Sequence, residues 1–180
     1  MTVEALRRRR PETLGDLLET YGRELHGVAY LILRDRADAE DVVIETLLTA
    51  FERGGTIRDE RALRAWLIKV ATNHALGTRR RSGRLVRLTV VPERAAGGDL
   101  GADSSTRLVL LDGIADLPVR MRAALVLHYY ADLSVDEVAV ALGKSPNTIK
   151  AQLQTALDRL RRSLADPATD AATTREARHA

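Results

Sequence analysis

The side chains best suited to chemistry lie between residues 134 and 162, and that chemistry is recognition rather than bond making. Asn147, Thr148, Ala151, Gln154, Thr155 and Asp158 fall on one side of a helix when projected at 100° per residue, with Lys150 and Gln152 at its flanks. Amides offer donors and acceptors together, lysine offers a cation, and alanine and threonine offer methyl groups. These groups match base edges, phosphates and the thymine methyl in a DNA groove. On the opposite side Ile149, Leu153, Ala156, Leu157 and Leu160 form an apolar stripe for packing.

The flanking residues position that face. Ser134 and Glu137 have capping-box spacing, in which each side chain satisfies an orphan N–H at a helix start. Val135, Val138, Ala139 and Leu142 give the following helix one apolar side, and Gly143 suits its end. Ser145-Pro146 reads as an N-cap followed by proline at the first helical position. Two helices joined by a tight glycine-containing turn are the DNA-reading arrangement, and a plain helical hairpin in a core is the alternative.

Nothing comparable supports catalysis. His26, His74, His128 and His179 are scattered, without zinc-ligand spacing, a glycine-rich phosphate loop or a nucleophile motif. Cysteine is absent, which excludes disulfides and Cys-based zinc sites and suits a reducing compartment. The expectation is a non-enzyme with no cofactor and no metal. No signal peptide or apolar run of spanning length is evident, so a soluble cytoplasmic protein without membrane insertion is expected.

The net charge of +3 conceals an uneven distribution. Asp35, Asp38, Glu40, Asp41, Glu45 and Glu52 face only Arg36 over that stretch, whereas Arg79, Arg80, Arg81, Arg84 and Arg87 have no acid among them. A basic stretch suits phosphate, and an acidic helix is repelled by it, so two partners of opposite charge are indicated.

Helical periodicity divides the chain into two blocks, and the fold class is all-α. Residues 1–11, with arginines at 7–10, read as a mobile tail; 12–81 as a first helical domain; 82–105 as a flexible Gly/Ser-containing linker; 106–165 as a second domain; and 166–180 as a disordered tail. In the first block a helix over about 12–34 is followed by one capped by Asp38 and a third starting at Asp59, with Trp66 on its apolar stripe. The only strand signal, at 85–91, falls in the linker.

Several motifs in order resemble a known family. They are Asp38-Ala39-Glu40-Asp41-Val42-Val43-Ile44-Glu45, Trp66-Leu67, Ala71-Thr72-Asn73, Leu117-Pro118, Arg122, Tyr129-Tyr130 and the helix-turn-helix. In this order, with a linker between the blocks, the chain resembles the bacterial sigma factors of extracytoplasmic-function (ECF) type over about residues 12–165.

The resemblance implies a region 2-like domain that binds core RNA polymerase and the −10 element, and a region 4-like domain that binds the −35 element. Polymerase would dock on Asp38, Asp41, Glu45 and Leu48. Ile57, Arg58, Asn73, Arg79, Arg80 and Arg81 would hold the −10 element as single-stranded DNA, Asn73 beside a flipped base. Asn147, Thr148, Lys150, Ala151, Gln152, Gln154 and Thr155 would read the double-stranded −35 element. Arg159, Arg161 and Arg162 lie too far along the helix for base edges and read as solvated or backbone-binding. An anti-sigma factor is a further partner that the resemblance suggests. The chain departs from the family pattern at Ile44, Ile57, Thr72, Gly77, Ala151 and Thr155. Two other readings stay open: a helix-turn-helix regulator that acts without polymerase, and a degenerate sigma-like protein that binds a partner without initiating transcription.

Overall fold

The computed structural model describes residues 3–8, 10, 12–53, 57, 59–85 and 104–165, with the backbone alone for 60, 79–85, 104–108 and 165. The elements are α1 (Val3–Arg7), α2 (Glu12–Leu33), α3 (Arg36–Arg53), α4 (Glu60–Leu85), α5 (Ser104–Asp116), α6 (Val119–Leu125), a π-helical turn (Val126–Tyr130), α7 (Val135–Leu142) and α8 (Pro146–Ala165). No strand occurs among the described residues, and no helix there is long and apolar enough to cross a membrane. Most of the strand signal at 85–91, the segment 86–103 of the expected linker, and the tail after Ala165 lie outside the described residues.

Helices α2, α3 and α4 pack against one another, and α5, α6 and α7 pack around α8. The first group buries Leu17, Leu25, Val28 and Ile32 of α2 against Val42 and Leu47 of α3 and Leu63, Leu67 and Ile68 of α4. The second buries Leu127, Val138, Ile149, Leu153 and Leu160. Within a helix the buried residues recur at three- and four-residue steps, as in Leu25, Val28 and Ile32 of α2 or Ile149, Leu153, Ala156 and Leu160 of α8, so one side is apolar and leaves water together.

Local caps fix where several helices start. Asp59 Oδ1 accepts from the Ala62 N–H at 2.8 Å, as expected for a cap of α4. The cap of α3 is Asp35, whose Oδ1 accepts from the Asp38 N–H at 2.9 Å; Asp38 sits inside the first turn, which corrects the expected cap. The capping box is complete. The Ser134 hydroxyl accepts from the Glu137 N–H at 3.3 Å, while the Ser134 hydroxyl and N–H donate to the Glu137 carboxylate at 2.7 and 2.8 Å. Gly143 ends α7 at φ +62°, a left-handed conformation that glycine adopts without steric cost.

The amino terminus departs from expectation. Residues 3–7 are helical, with Val3 and Leu6 only 7% and 0% exposed, so this part of the expected tail belongs to the core. The signal was an apolar pair at i and i+3, outweighed in the sequence by the arginines beside it.

The two groups of helices are also packed together rather than held apart on a tether. α2 meets α5, α6 and the π-helical turn, and α4 meets α6 and α7. Arg122 on α6 is 4% exposed; its guanidinium donates to the carbonyls of Ile32 (2.8 Å), Ala115 (2.6 Å) and Leu117 (3.0 Å). Ile32 lies in the last turn of α2, where carbonyls lack helical partners and the dipole favours a cation. Arg64 on α4 pairs with Glu24 on α2 and donates to the Ala131 carbonyl at 2.8 Å. The Tyr130 hydroxyl lies against Gly27, where an added Cβ would come within 1.9 Å of it.

Two outcomes are expected. Gly27→Ala combined with Arg64→Ala should separate the two helical groups. Small-angle scattering should then give a larger radius of gyration at unchanged helical content, and an identical curve would show that these contacts do not hold the groups together. The second concerns Glu137, whose carboxylate is held below the usual range by the Ser134 hydroxyl and N–H, with Arg61 and Arg64 adding to the effect. A lowered carboxylate pKa adds stability above its unfolded value that is lost as pH falls through the folded one. Urea midpoints should therefore fall less between pH 7 and pH 4 in Glu137→Gln than in the native chain. Equal falls would remove the capping box from the acid response.

Candidate polymerase and nucleic-acid interfaces

The acidic helix α3 turns one side outward. Asp41, Ile44, Glu45 and Leu48 are exposed there, Ile44 and Leu48 at 57% and 50%, while Ala39, Val42, Val43, Thr46 and Leu47 face the core. Asp38 is half-buried at the start of the same helix. Two large apolar side chains between carboxylates form a surface suited to a basic protein partner with an apolar centre. Ile44, absent from the residues selected for docking, is the most exposed apolar side chain on this face. Its apolarity on the outer arc of an otherwise acidic helix was the available signal. Glu45 also has an internal partner: its carboxylate lies 2.9 Å from His74 Nδ1, and His74 Nε2 lies 3.3 Å from the Thr49 hydroxyl. His74 follows Asn73, so the acidic side of α3 is tied directly to α4.

On α4, Asn73 is exposed and so available to a strand. Trp66 is partly buried against the core, as its place on the apolar stripe indicated. Thr72 is fully buried, its hydroxyl donating to the Ile68 carbonyl at 2.8 Å, and so cannot meet DNA. Ile57 requires correction: at 8% exposure its side chain belongs to the core, and its carbonyl accepts from Arg7. An apolar residue between helices was assigned to DNA through the resemblance, but burial claims it here. Arg58 lies outside the described residues, as do the side chains of Arg79, Arg80 and Arg81; their backbone continues α4.

α8 keeps its polar side clear of packing. Asn147, Thr148, Lys150, Ala151, Gln154 and Thr155 are all exposed, while Ile149, Leu153, Ala156 and Leu160 are buried. Gln152 is the exception, half-buried with its Oε1 buried and without a hydrogen-bond partner, so it sits at the edge of the reading surface. Three of these side chains are engaged within the helix. The Thr148 hydroxyl bonds the Ser145 hydroxyl at 2.8 Å, and the Thr155 hydroxyl donates to the Ala151 carbonyl at 2.9 Å. Gln154 Nε2 donates to Asp158 Oδ1 at 3.2 Å, and Arg161 pairs with the same carboxylate at 2.8 Å. The Asp158 carboxylate would repel phosphate by itself, and Arg161 offsets that repulsion. Its part in orienting Gln154 follows from i, i+4 spacing, which sequence alone could have supplied. Arg159, Arg161 and Arg162 are exposed further along α8.

Among the described residues no group of histidines and carboxylates could hold a metal ion. The three faces present hydrogen-bonding, charged and apolar surface, which suits binding.

Comparison with known proteins agrees with this arrangement. A family model described as "Sigma-70 region 2" matches residues 17–85, and one described as "Sigma-70, region 4" matches residues 107–160. The chain is 34% identical over 154 residues to the ECF RNA polymerase sigma factor SigL of Mycobacterium tuberculosis, covering 82% of this chain and 86% of that protein. It is 34% identical over 145 residues to the RNA polymerase sigma-E factor of Streptomyces avermitilis, covering 78% of each. The fold resembles that of the sigma factor RpoE of Bartonella quintana, solved with the anti-sigma factor NepR, with a TM-score of 0.69 at 22% identity over 86% of this chain and 98% of that one. It also resembles CnrH, solved with the cytosolic domain of CnrY, with a TM-score of 0.66 at 22% identity over 93% and 96% of the respective chains. The chain therefore belongs to the ECF RNA polymerase sigma factors of the sigma-70 family.

Proposed function

We propose that this protein initiates transcription by bringing core RNA polymerase to promoters, docking through α3 and reading the −10 element with α4 and the −35 element with α8. The observation that carries this reading is the polar side of α8, kept clear of packing while its apolar side is buried against α5, α6 and α7. Residues 12–81 serve as the polymerase and −10 domain and 106–165 as the −35 domain. The protein works in the cytoplasm, where polymerase is, and catalyses no reaction itself.

Within this reading each face has a defined task. Asp38, Asp41 and Glu45 steer toward a basic polymerase surface, and Ile44 and Leu48 supply the apolar contact at its centre. Asn73 offers an amide to an unstacked base, and Arg79, Arg80 and Arg81 follow the phosphates. Lys150 takes guanine or phosphate, Gln154 adenine, and Ala151 and Thr155 a thymine methyl. Asn147 and Thr148 hold phosphate at the helix start, with Thr148 giving up its bond to Ser145.

The two halves must part for both elements to be read at once. Positions −35 and −10 are about 25 base pairs apart, about 85 Å of duplex at one turn per 34–36 Å. A compact chain of this length has a radius of gyration of about 16 Å, too small to reach both elements while the halves touch. One of the solved structures that the fold resembles, the sigma factor RpoE, was captured with the anti-sigma factor NepR. We extend that partner class to this chain, as a protein that would favour the packed arrangement.

In vitro transcription with core polymerase on a genomic library, with 5′ ends sequenced, should yield defined starts sharing −10 and −35 sequences. Asp41→Lys with Glu45→Lys should lose core binding and transcript together while the full chain's affinity for −35 duplex stays the same. Retained core binding in the folded double variant would remove α3 from the docking surface. In single-base promoter panels, Gln154→Ala should relax preference at one −35 position by about 1–3 kcal/mol. Arg162→Ala should weaken all sites alike and make the salt dependence shallower. The orientation of α8 is wrong if Gln154→Ala leaves every preference intact while Arg162→Ala changes one.

A further inference from the structure

The run of four arginines at 7–10 is a charged motif that docking through α3 and reading through α4 and α8 leave unused. Its setting is more constrained than a tail would be. The five-residue helix α1 is too short to hold itself together in water, so its order comes from contacts elsewhere. Val3 and Leu6 are buried in the core. Thr13, 1% exposed, donates its hydroxyl to the Ala5 carbonyl at 3.3 Å and its N–H to the Arg10 carbonyl at 3.0 Å, which binds the segment to the start of α2. On another side the Arg7 guanidinium donates to the Ile57 carbonyl at 3.3 Å, in the connection that leads into α4. The segment is thus pinned between the start of α2 and the entry to the helix proposed to read the −10 strand.

The charged side chains of this segment nonetheless keep access to water. Arg7 and Arg8 side chains are 47% and 59% exposed, and Arg10 is exposed. Glu4 pairs with Arg8 at 3.2 Å and with Arg7 at 3.8 Å, both within one helical turn. Such exposed pairs contribute little and are easily exchanged for a stronger anion. Phosphate on a nearby strand is such an anion, and single strands are held by basic tracks along their backbone. Arg7, Arg8 and Arg10 lie beside the residues that lead into α4, while Arg79, Arg80 and Arg81 lie toward its other end, about 30 Å along the helix at 1.5 Å per residue, so a strand running along α4 would meet cations at both ends.

We infer that α1 is a phosphate clamp for the DNA strand read by α4, in which Arg8 and Arg10 contact the backbone and Arg7 fixes the clamp to α4 through the Ile57 carbonyl. The inference rests on the proposed reading of the −10 strand by α4. Glu4 acts in it as an internal competitor that occupies the arginines until a strand displaces it.

The test uses the full chain assembled with core polymerase and a fluorescein-labelled oligothymidylate, with anisotropy followed across a salt series and core polymerase alone as baseline. Arg8→Ala with Arg10→Ala removes only exposed side chains and leaves the fold intact. It should weaken binding and make the logarithmic salt slope shallower by about 1.4, about 0.7 for each phosphate released. Glu4→Gln should act in the opposite direction and tighten binding at low salt. Replacing Arg79, Arg80 and Arg81 by alanine tests the underlying reading separately. If that triple weakens binding while the Arg8/Arg10 variant matches the native chain, the clamp is refuted and the reading of α4 stands. If the Arg8/Arg10 variant weakens binding and the triple has no effect, α4 is not the strand's track and the clamp as stated falls with it.

Discussion

A guanidinium in a protein interior must find acceptors for its donors, because removing a charge from water without them costs several kcal/mol. Arg122 meets this requirement for its two terminal nitrogens by reaching across the molecule. Two of its acceptors, the Ala115 and Leu117 carbonyls, precede α6 in the same half, and the third, the Ile32 carbonyl, ends α2 in the other. The constraint acts in both directions. The last turn of α2 has carbonyls with no helical donor, and the cation from α6 supplies one where water has little access. Much of the remaining arrangement depends on this junction. It sets α6 across α2 and brings α5 close enough for Arg34 and Asp112 to approach within 3.8 Å.

A second junction reinforces the first with different chemistry. Ala131 follows the π-helical turn, in which the Ala131 N–H bonds the Val126 carbonyl at 3.0 Å, and its own carbonyl is taken by Arg64 from α4. Asp132 then adopts φ +54°, a conformation that aspartate tolerates better than most side chains. The His128 Nδ1–H donates to the Leu133 carbonyl at 2.7 Å and holds the chain at the entry to α7. The same few residues therefore close the interface and launch the helix-turn-helix, so the unit proposed to read the −35 element and the junction between halves share one structural element.

Closure leaves the proposed reading surfaces open. The acidic and apolar side of α3, Asn73 on α4 and the polar side of α8 are all exposed while the halves touch. What the packed arrangement restricts is the distance between them. A promoter-binding protein controlled in this way need not hide its binding residues, because it suffices to hold two correct surfaces at the wrong spacing. The contacts that do so include the buried Arg122–Ile32 hydrogen bond, the Arg64–Ala131 hydrogen bond, the Tyr130–Gly27 contact and a partly exposed ion pair between Arg34 and Asp112.

The sequence by itself determined helices α2, α3, α4, α7 and α8, because periodicity, capping residues and turn glycines act over a few residues. Ser134 with Glu137, Asp59, Gly143 and the apolar stripe of α8 all did locally what their types and spacing dictate. The order of motifs also sufficed to identify the family. Other features were settled only by tertiary structure, since they depend on residues far apart in the chain. Ile57 and Leu6 became core residues because α1 and the entry to α4 meet. The exchange of Asp38 for Asp35 as the cap of α3 was by contrast local: α2 ends after Leu33, and Asp35 stands immediately before α3. Packing of the two halves was invisible because Arg122 and Ile32 are 90 residues apart. No local pattern reveals that a buried cation will find its acceptor at the end of a helix from the other half.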